Sequence, residues 1–81
     1  MKNTIEMQAV VSSQIEAIGH NDVTNTLAIQ FPTKAATPNI YHYKNVTRQI
    51  FDAFKSATSI GSFFIQNIKK NPELYPYIKL S

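Results

Sequence analysis

The spacing of apolar residues changes period once along this chain, near Val46, and that change limits the fold more than any other feature. Before it, "TLAIQF" (residues 26–31) alternates, with Leu27, Ile29 and Phe31 to one side and Thr26, Ala28 and Gln30 to the other. That is the period of a half-buried strand. "IYHYKNV" keeps the alternation, setting Tyr41 and Tyr43 against His42 and Lys44. After the change, Val46, Ile50, Ala53 or Phe54, and Ala57 recur at helical spacing, while Arg48, Gln49, Asp52 and Lys55 take the wet side and Thr47 stands at the N-cap. A second stripe of Ile60, Phe63 or Phe64, and Ile68 opposes Gln66, Lys69 and Lys70, and Asn71 with Pro72 ends it. Strands come first and helices after, which is the order of an α+β domain.

The flanks extend this plan. "NTIEMQAVVSS" alternates Ile5, Met7, Ala9 and Val11 against Thr4, Glu6 and Gln8, and "QIEAIGHND" is a further strand candidate closed by a turn. "PTKAATPN" (residues 32–39) brackets small polar residues between prolines and reads as a loop. "LYPYIKL" is extended, because Pro76 forbids a continued helix. The expected fold is a small antiparallel meander of three to four strands followed by two helices, 47–57 and 60–70, packed on one face, with an extended C-terminal segment. Residues 11–80 form one domain in this reading, preceded by an extended segment, 1–10.

With 81 residues, such a domain hides only about 60% of its unfolded surface, so each large apolar residue counts. There is no cysteine to add a disulfide or a thiolate metal site. "MKNTIEMQAV" lacks an unbroken apolar run and is read as no signal peptide. No segment approaches the roughly 20 apolar residues of a membrane span. The expected location is the cytoplasm of a bacterial host, and the "NVT" triplet at Asn45 is read as chance. Net charge is +3, a mild attraction for phosphates or acidic partners. The charge is unevenly spread: four of the five acids lie at or before Asp52, whereas Lys55, Lys69, Lys70 and Lys79 crowd the last third.

The ordered series "VSSQIEAIGHND", "TLAIQF", "YHYKNV", "IFDAFKSATSIGSFFIQNI" and "YPYIKL" resembles the KTSC domain. This module occurs at the carboxyl end of some lysyl-tRNA synthetases and as a stand-alone bacterial or phage protein. The matching features include Ser12-Ser13, Ile18-Gly19, the Tyr41/Tyr43 pair, Ala57 and Ser59 before Gly61, Phe63-Phe64, and Tyr75/Tyr77. Two features depart from the family pattern: the long 32–39 loop replaces a glycine turn, and Thr47 stands where a proline is usual. The resemblance implies an α+β fold and fits a phage or mobile-element origin; it brings no agreed molecular activity.

Catalysis is not expected. The acids Glu6, Glu16, Asp22, Asp52 and Glu73 are scattered, no thiol nucleophile exists, and His20 beside Asp22 reads as turn chemistry. His20 and His42 on neighbouring strands would still lack a third metal ligand, and no cofactor is expected. "SATSIGS" is the better lead, since Thr58 or Ser59 can cap a helix, Gly61 can let an anion approach the backbone, and Ser62 adds a hydroxyl. A capped helix packed closely on a sheet explains the same residues. Arg48, Lys55, Lys69 and Lys70 would form a phosphate-facing strip if the helices lie side by side, with Tyr41, Tyr43, Tyr75 and Tyr77 as stacking surfaces. Because adjacent Phe63 and Phe64 cannot face one way on a helix, one of them, assigned as Phe64, is offered to a partner. The expectation is therefore a non-catalytic module for nucleic acid or nucleotide, free to form a homodimer or larger homo-oligomer and with no membrane partner. The alternative is an inhibitor that masks a host defence protein or polymerase through the 32–39 loop.

Overall fold

A computed structural model describes residues 5–80. Thr4, and the part of the 1–10 extension before it, lie outside that range. Five strands follow one another across a single antiparallel sheet: β1 (Gln8–Ala9), β2 (Ala17–Asn21), β3 (Thr26–Phe31), β4 (Asn39–Tyr43) and β5 (Tyr77–Lys79). Between β4 and β5 run α1 (Arg48–Lys55) and α2 (Ile60–Phe64), the latter continuing as a π-helical turn, Ile65–Lys69. The meander and the two helices stand as expected. The added feature is the C-terminal segment, which pairs with β4 as a fifth strand through Tyr43↔Tyr77, His42↔Ile78 and Tyr41↔Lys79.

Register sorts the side chains onto two faces. Ile18 lies across from Ile29, and Leu27 and Tyr43 pair in turn, so the odd-numbered residues of β3 and β4 share the face beneath the helices. There Ile15, Ile18, Leu27, Ile29, Val46 and Phe54 are almost sealed from solvent. Phe54 at 0% exposure is the kind of side chain whose truncation to alanine costs about 3–5 kcal/mol. The helical phase differs slightly from that expected: α1 buries Phe51 and Phe54, and leaves Ala53 exposed. The opposite face is crossed by the segment at Ile5 and Glu6. A Cβ on Gly19 would strike the Glu6 carbonyl and lie 2.9 Å from Ile5 Cγ2, so only glycine admits that close approach. The expected alternation of the first segment holds for only part of its length. After Ala9 the chain leaves the sheet, Val10 packs towards the core, and Val11 is fully exposed.

The turns are built from asparagines. Asn21 Oδ1 accepts from the backbone N–H groups of Val23 (2.9 Å) and Thr24 (3.3 Å), and Asn25 takes φ 52. Asn45, at φ 65, donates from Nδ2 to the Leu74 carbonyl at 2.9 Å, which holds the 71–75 turn against the sheet. Asparagine tolerates this left-handed region better than other residues with a Cβ. Among the described residues, no helix is long and apolar enough to cross a membrane.

Candidate functional site

Tyr41 and Tyr43 project from β4 on the helix side of the sheet, and β5 brings Tyr77 beside them. Together with Phe31 of β3 and Phe64 of α2 they form a closed circuit of ring contacts. Phe31 meets Tyr41 at 5.4 Å, Tyr41 meets Tyr77 at 5.5 Å and Tyr77 meets Tyr43 at 5.4 Å. Tyr43 then meets Phe64 at 5.3 Å, and Phe64 closes on Phe31 at 5.6 Å. The pairs are tilted or edge-on, as ring quadrupoles favour. All five rings line one hollow of about 290 Å³. Asn39, Ile68, Lys69, Pro72 and Tyr75 complete its wall.

Lys69 reaches the hollow because of the π turn. Lys70 N–H bonds back to the Ile65 carbonyl at 3.3 Å, one residue further than in an α-helix. Ile68 is thereby buried while Lys69 stays exposed at the rim. Asn67 Nδ2 donates to the Phe63 carbonyl at 3.0 Å, and Asn71 Nδ2 to the Asn67 carbonyl at 3.1 Å, so amide side chains serve carbonyls of the distorted segment. Such π turns recur at functional sites. Lys79 brings a second cation, its Nζ 5.9 Å from the centre of the Tyr41 ring. None of the four tyrosine hydroxyls bonds to a protein group among the described residues. Burial, with the neighbouring Tyr41 and Tyr77, pushes the Tyr43 phenol up to about 12 from 10.0. It therefore remains a hydrogen-bond donor at any ordinary pH.

The other sequence-predicted site residues fall elsewhere. Arg48 Nη1 lies 3.5 Å from Asp22 Oδ1 and Arg48 Nε 3.3 Å from Asp52 Oδ1; Lys55 Nζ is 3.7 Å from the same Asp52 oxygen. Both cations also stand over the Phe51 ring. The expected strip of four cations is thus divided: Arg48 and Lys55 of α1 are matched with Asp22 and Asp52, Lys69 lines the hollow, and Lys70 is exposed but not part of its lining. Residues 59–62 are engaged with protein groups. Ser59 Oγ accepts from Ser62 N–H at 3.3 Å and donates to Ser62 Oγ at 3.0 Å, so the helix cap closes on itself. Gly61 is buried against Gln14: a Cβ there would collide with the Gln14 amide and lie 3.3 Å from its Cβ. The glycine serves packing against Gln14.

Phe64 is corrected in part. At 3% exposure it presents no free surface to a partner, and the half-exposed member of the pair is Phe63, which meets Phe54 at 5.6 Å. The Phe64 ring still forms one wall of the hollow. His20 and His42 are not neighbours. β3 separates their strands, and register places them on opposite faces, across from Leu27 and Ala28. The His20 ring is enclosed, stacked on Phe51 at 4.9 Å, with Asp22 Oδ1 at one nitrogen (2.9 Å) and the Val46 carbonyl at the other. No group of three metal-ligating side chains occurs among the described residues. Phe31, Asn39 and Lys79 are the site residues that sequence reasoning missed. Alternation alone carried the signal for Asn39, which stands two and four residues before the paired tyrosines and so shares their face.

A five-stranded antiparallel meander, carrying two helices on the face that bears an aromatic hollow, defines a small α+β module. A model of the KTSC domain matches residues 11–71, and the chain belongs to that family. It is similar to the crystal structure of a KTSC domain protein from Yersinia pestis, at 31% identity and a TM-score of 0.81, over 96% of this chain and 100% of that one. No curated protein matches it.

Proposed function

We propose that this protein is a small non-catalytic binding module that takes a nucleotide or single-stranded nucleic acid in the aromatic hollow. The observation that carries this reading is the closed circuit of five rings around one concavity with Lys69 in its wall. Base-on-aromatic stacking contributes about 1–3 kcal/mol per base. Every base has a flat face, so the hollow accepts the ring while Lys69 and Lys79 hold the phosphates outside it. Arg48 and Lys55, already matched with Asp22 and Asp52, take no part.

The test is a titration of a labelled single strand and of a mononucleotide at two salt concentrations. Wild type is expected to bind the strand with a steep salt dependence, through counterion release. Tyr77→Ala should weaken binding by about 1–3 kcal/mol. Lys69→Gln should shallow the slope of log K against log salt by about 0.7, the share of one phosphate contact on a single strand. Wild type binding neither ligand at low salt would end this reading.

A further inference from the structure

Asn39 Oδ1 is the one buried side-chain oxygen or nitrogen without a hydrogen-bond partner among the described residues. Residues with a buried acceptor left empty lose stability, and native proteins keep few of them. This one belongs to a residue in the wall of the hollow. Asn39 opens β4, pairs in register with Phe31, and shares the face of Tyr41 and Tyr43. Oδ1 itself is closed to solvent while Asn39 as a whole is half-buried, so a turn of the amide about its last torsion is what brings this undonated acceptor to an occupant of the hollow.

We infer that Asn39 is the specificity-determining residue of the hollow, its Oδ1 accepting a hydrogen bond from an N–H on the edge of an unpaired nucleobase. The inference rests on the nucleotide reading above and adds what that reading leaves open. Stacking is indifferent to base identity, whereas an amide in the wall is not. It offers one acceptor and two donors, and it matches only an edge that presents the complementary pattern. Each base carries N–H donors on its pairing edge, and in a duplex those donors are consumed. The ligand is accordingly a single-stranded or free nucleotide, held by its edge as well as its face.

The experiment is a fluorescence-anisotropy titration of short labelled single strands of A, C, G or U. The same strand with abasic sites and a blunt duplex are titrated alongside, against wild type and Asn39→Leu, with melting curves for both proteins. Wild type should rank the four strands, its best and worst about tenfold apart, the share of one well-made hydrogen bond together with its orphaned partner. It should bind the abasic strand and the duplex more weakly still, since both lose the stacking as well. Asn39→Leu should bind the four strands alike, near the wild-type affinity for its weakest, and still more tightly than the abasic strand because the rings remain. It should melt at or above the wild-type temperature, since removing an unpartnered buried amide relieves the fold. Should the variant keep the wild-type ranking and affinities, or should wild type hold the four strands alike, Asn39 does not read a base while nucleic-acid binding stands; wild type holding the abasic strand as tightly as the others would end the stacking reading too. If wild type binds no strand at low salt, both readings fall together. The wild-type ranking of the four strands needs no variant, so a misfolded Asn39→Leu leaves the inference open to refutation.

Discussion

Tyr43 is the most enclosed of the four tyrosines, and its phenol titrates differently because of it. Desolvation disfavours the phenolate, and Tyr41 and Tyr77 add to the effect, so the folded value rises to about 12 from 10.0. The folded state thus holds this proton more tightly than the unfolded chain does. The stabilisation is complete below pH 10 and is lost as pH climbs towards about 12. Chemical unfolding of wild type and Tyr43→Phe across alkaline pH is expected to give parallel curves up to pH 10, with only wild type falling steeply beyond it. Curves that stay parallel throughout would show that the phenol is freely solvated. At this scale the sequence was partly legible. The alternation of residues 41 and 43 placed both tyrosines on one face, and the structure seats them in one hollow. Asn39 escaped notice because prolines and small polar residues precede it, and a loop reading hides the face on which its side chain lies.

Secondary elements were the most legible level, since their signals are local. β3 begins and ends where the alternation of 26–31 does, and Thr47 caps α1 by accepting from Ile50 N–H at 3.3 Å. The α2 segment was harder. Gly61 reads equally as an anion cradle or as a packing contact, and the packing partner, Gln14, is distant in sequence. The consequence can be measured. Gly61→Val should lower the melting temperature, because its Cβ lies 3.3 Å from the Gln14 Cβ even once the amide swings aside, and its branched side chain adds bulk there with little gain in helix propensity. Replacing Gln14 by glycine in the same chain should restore most of the loss, a coupling that two independent sites would not show. Additive losses in the double variant would mean that Gly61 answers to some other neighbour. The π turn had no signature in the sequence either. Ile60, Phe64 and Ile68 recur every four residues, a spacing that an α-helix also accommodates.

For the whole molecule, the sequence left two surfaces open as functional candidates, the 59–70 helix and the 32–39 loop, and the structure adds the hollow. The structure draws Asn39 into β4 and leaves residues 32–38 exposed, with Thr33 Oγ1 accepting from Ala35 N–H at 3.1 Å. Deleting residues 34–36 is expected to leave both nucleotide affinity and the melting temperature close to wild type, because exposed loops tolerate length changes. A host-protein inhibitor would be disabled by that deletion and indifferent to Tyr77→Ala, so the pair of variants separates the two modes. Strand identity was readable, but the fifth pairing was not, since β5 meets β4 only after both helices have intervened. That arrangement bears on how the hollow is held together. The family match covers residues 11–71, whereas Pro72, Tyr75 and Tyr77 of the wall, with Lys79 beside it, lie beyond that span. β5 is a three-residue edge strand whose side chains are all exposed, the kind of element that opens locally long before a domain unfolds. In the proposed binding mode an occupant resting on both Tyr77 and the rings of β4 would act as a staple across this seam. Part of its binding free energy would go into keeping β5 docked, and the amides of β5 would exchange with solvent more slowly for as long as the ligand stayed.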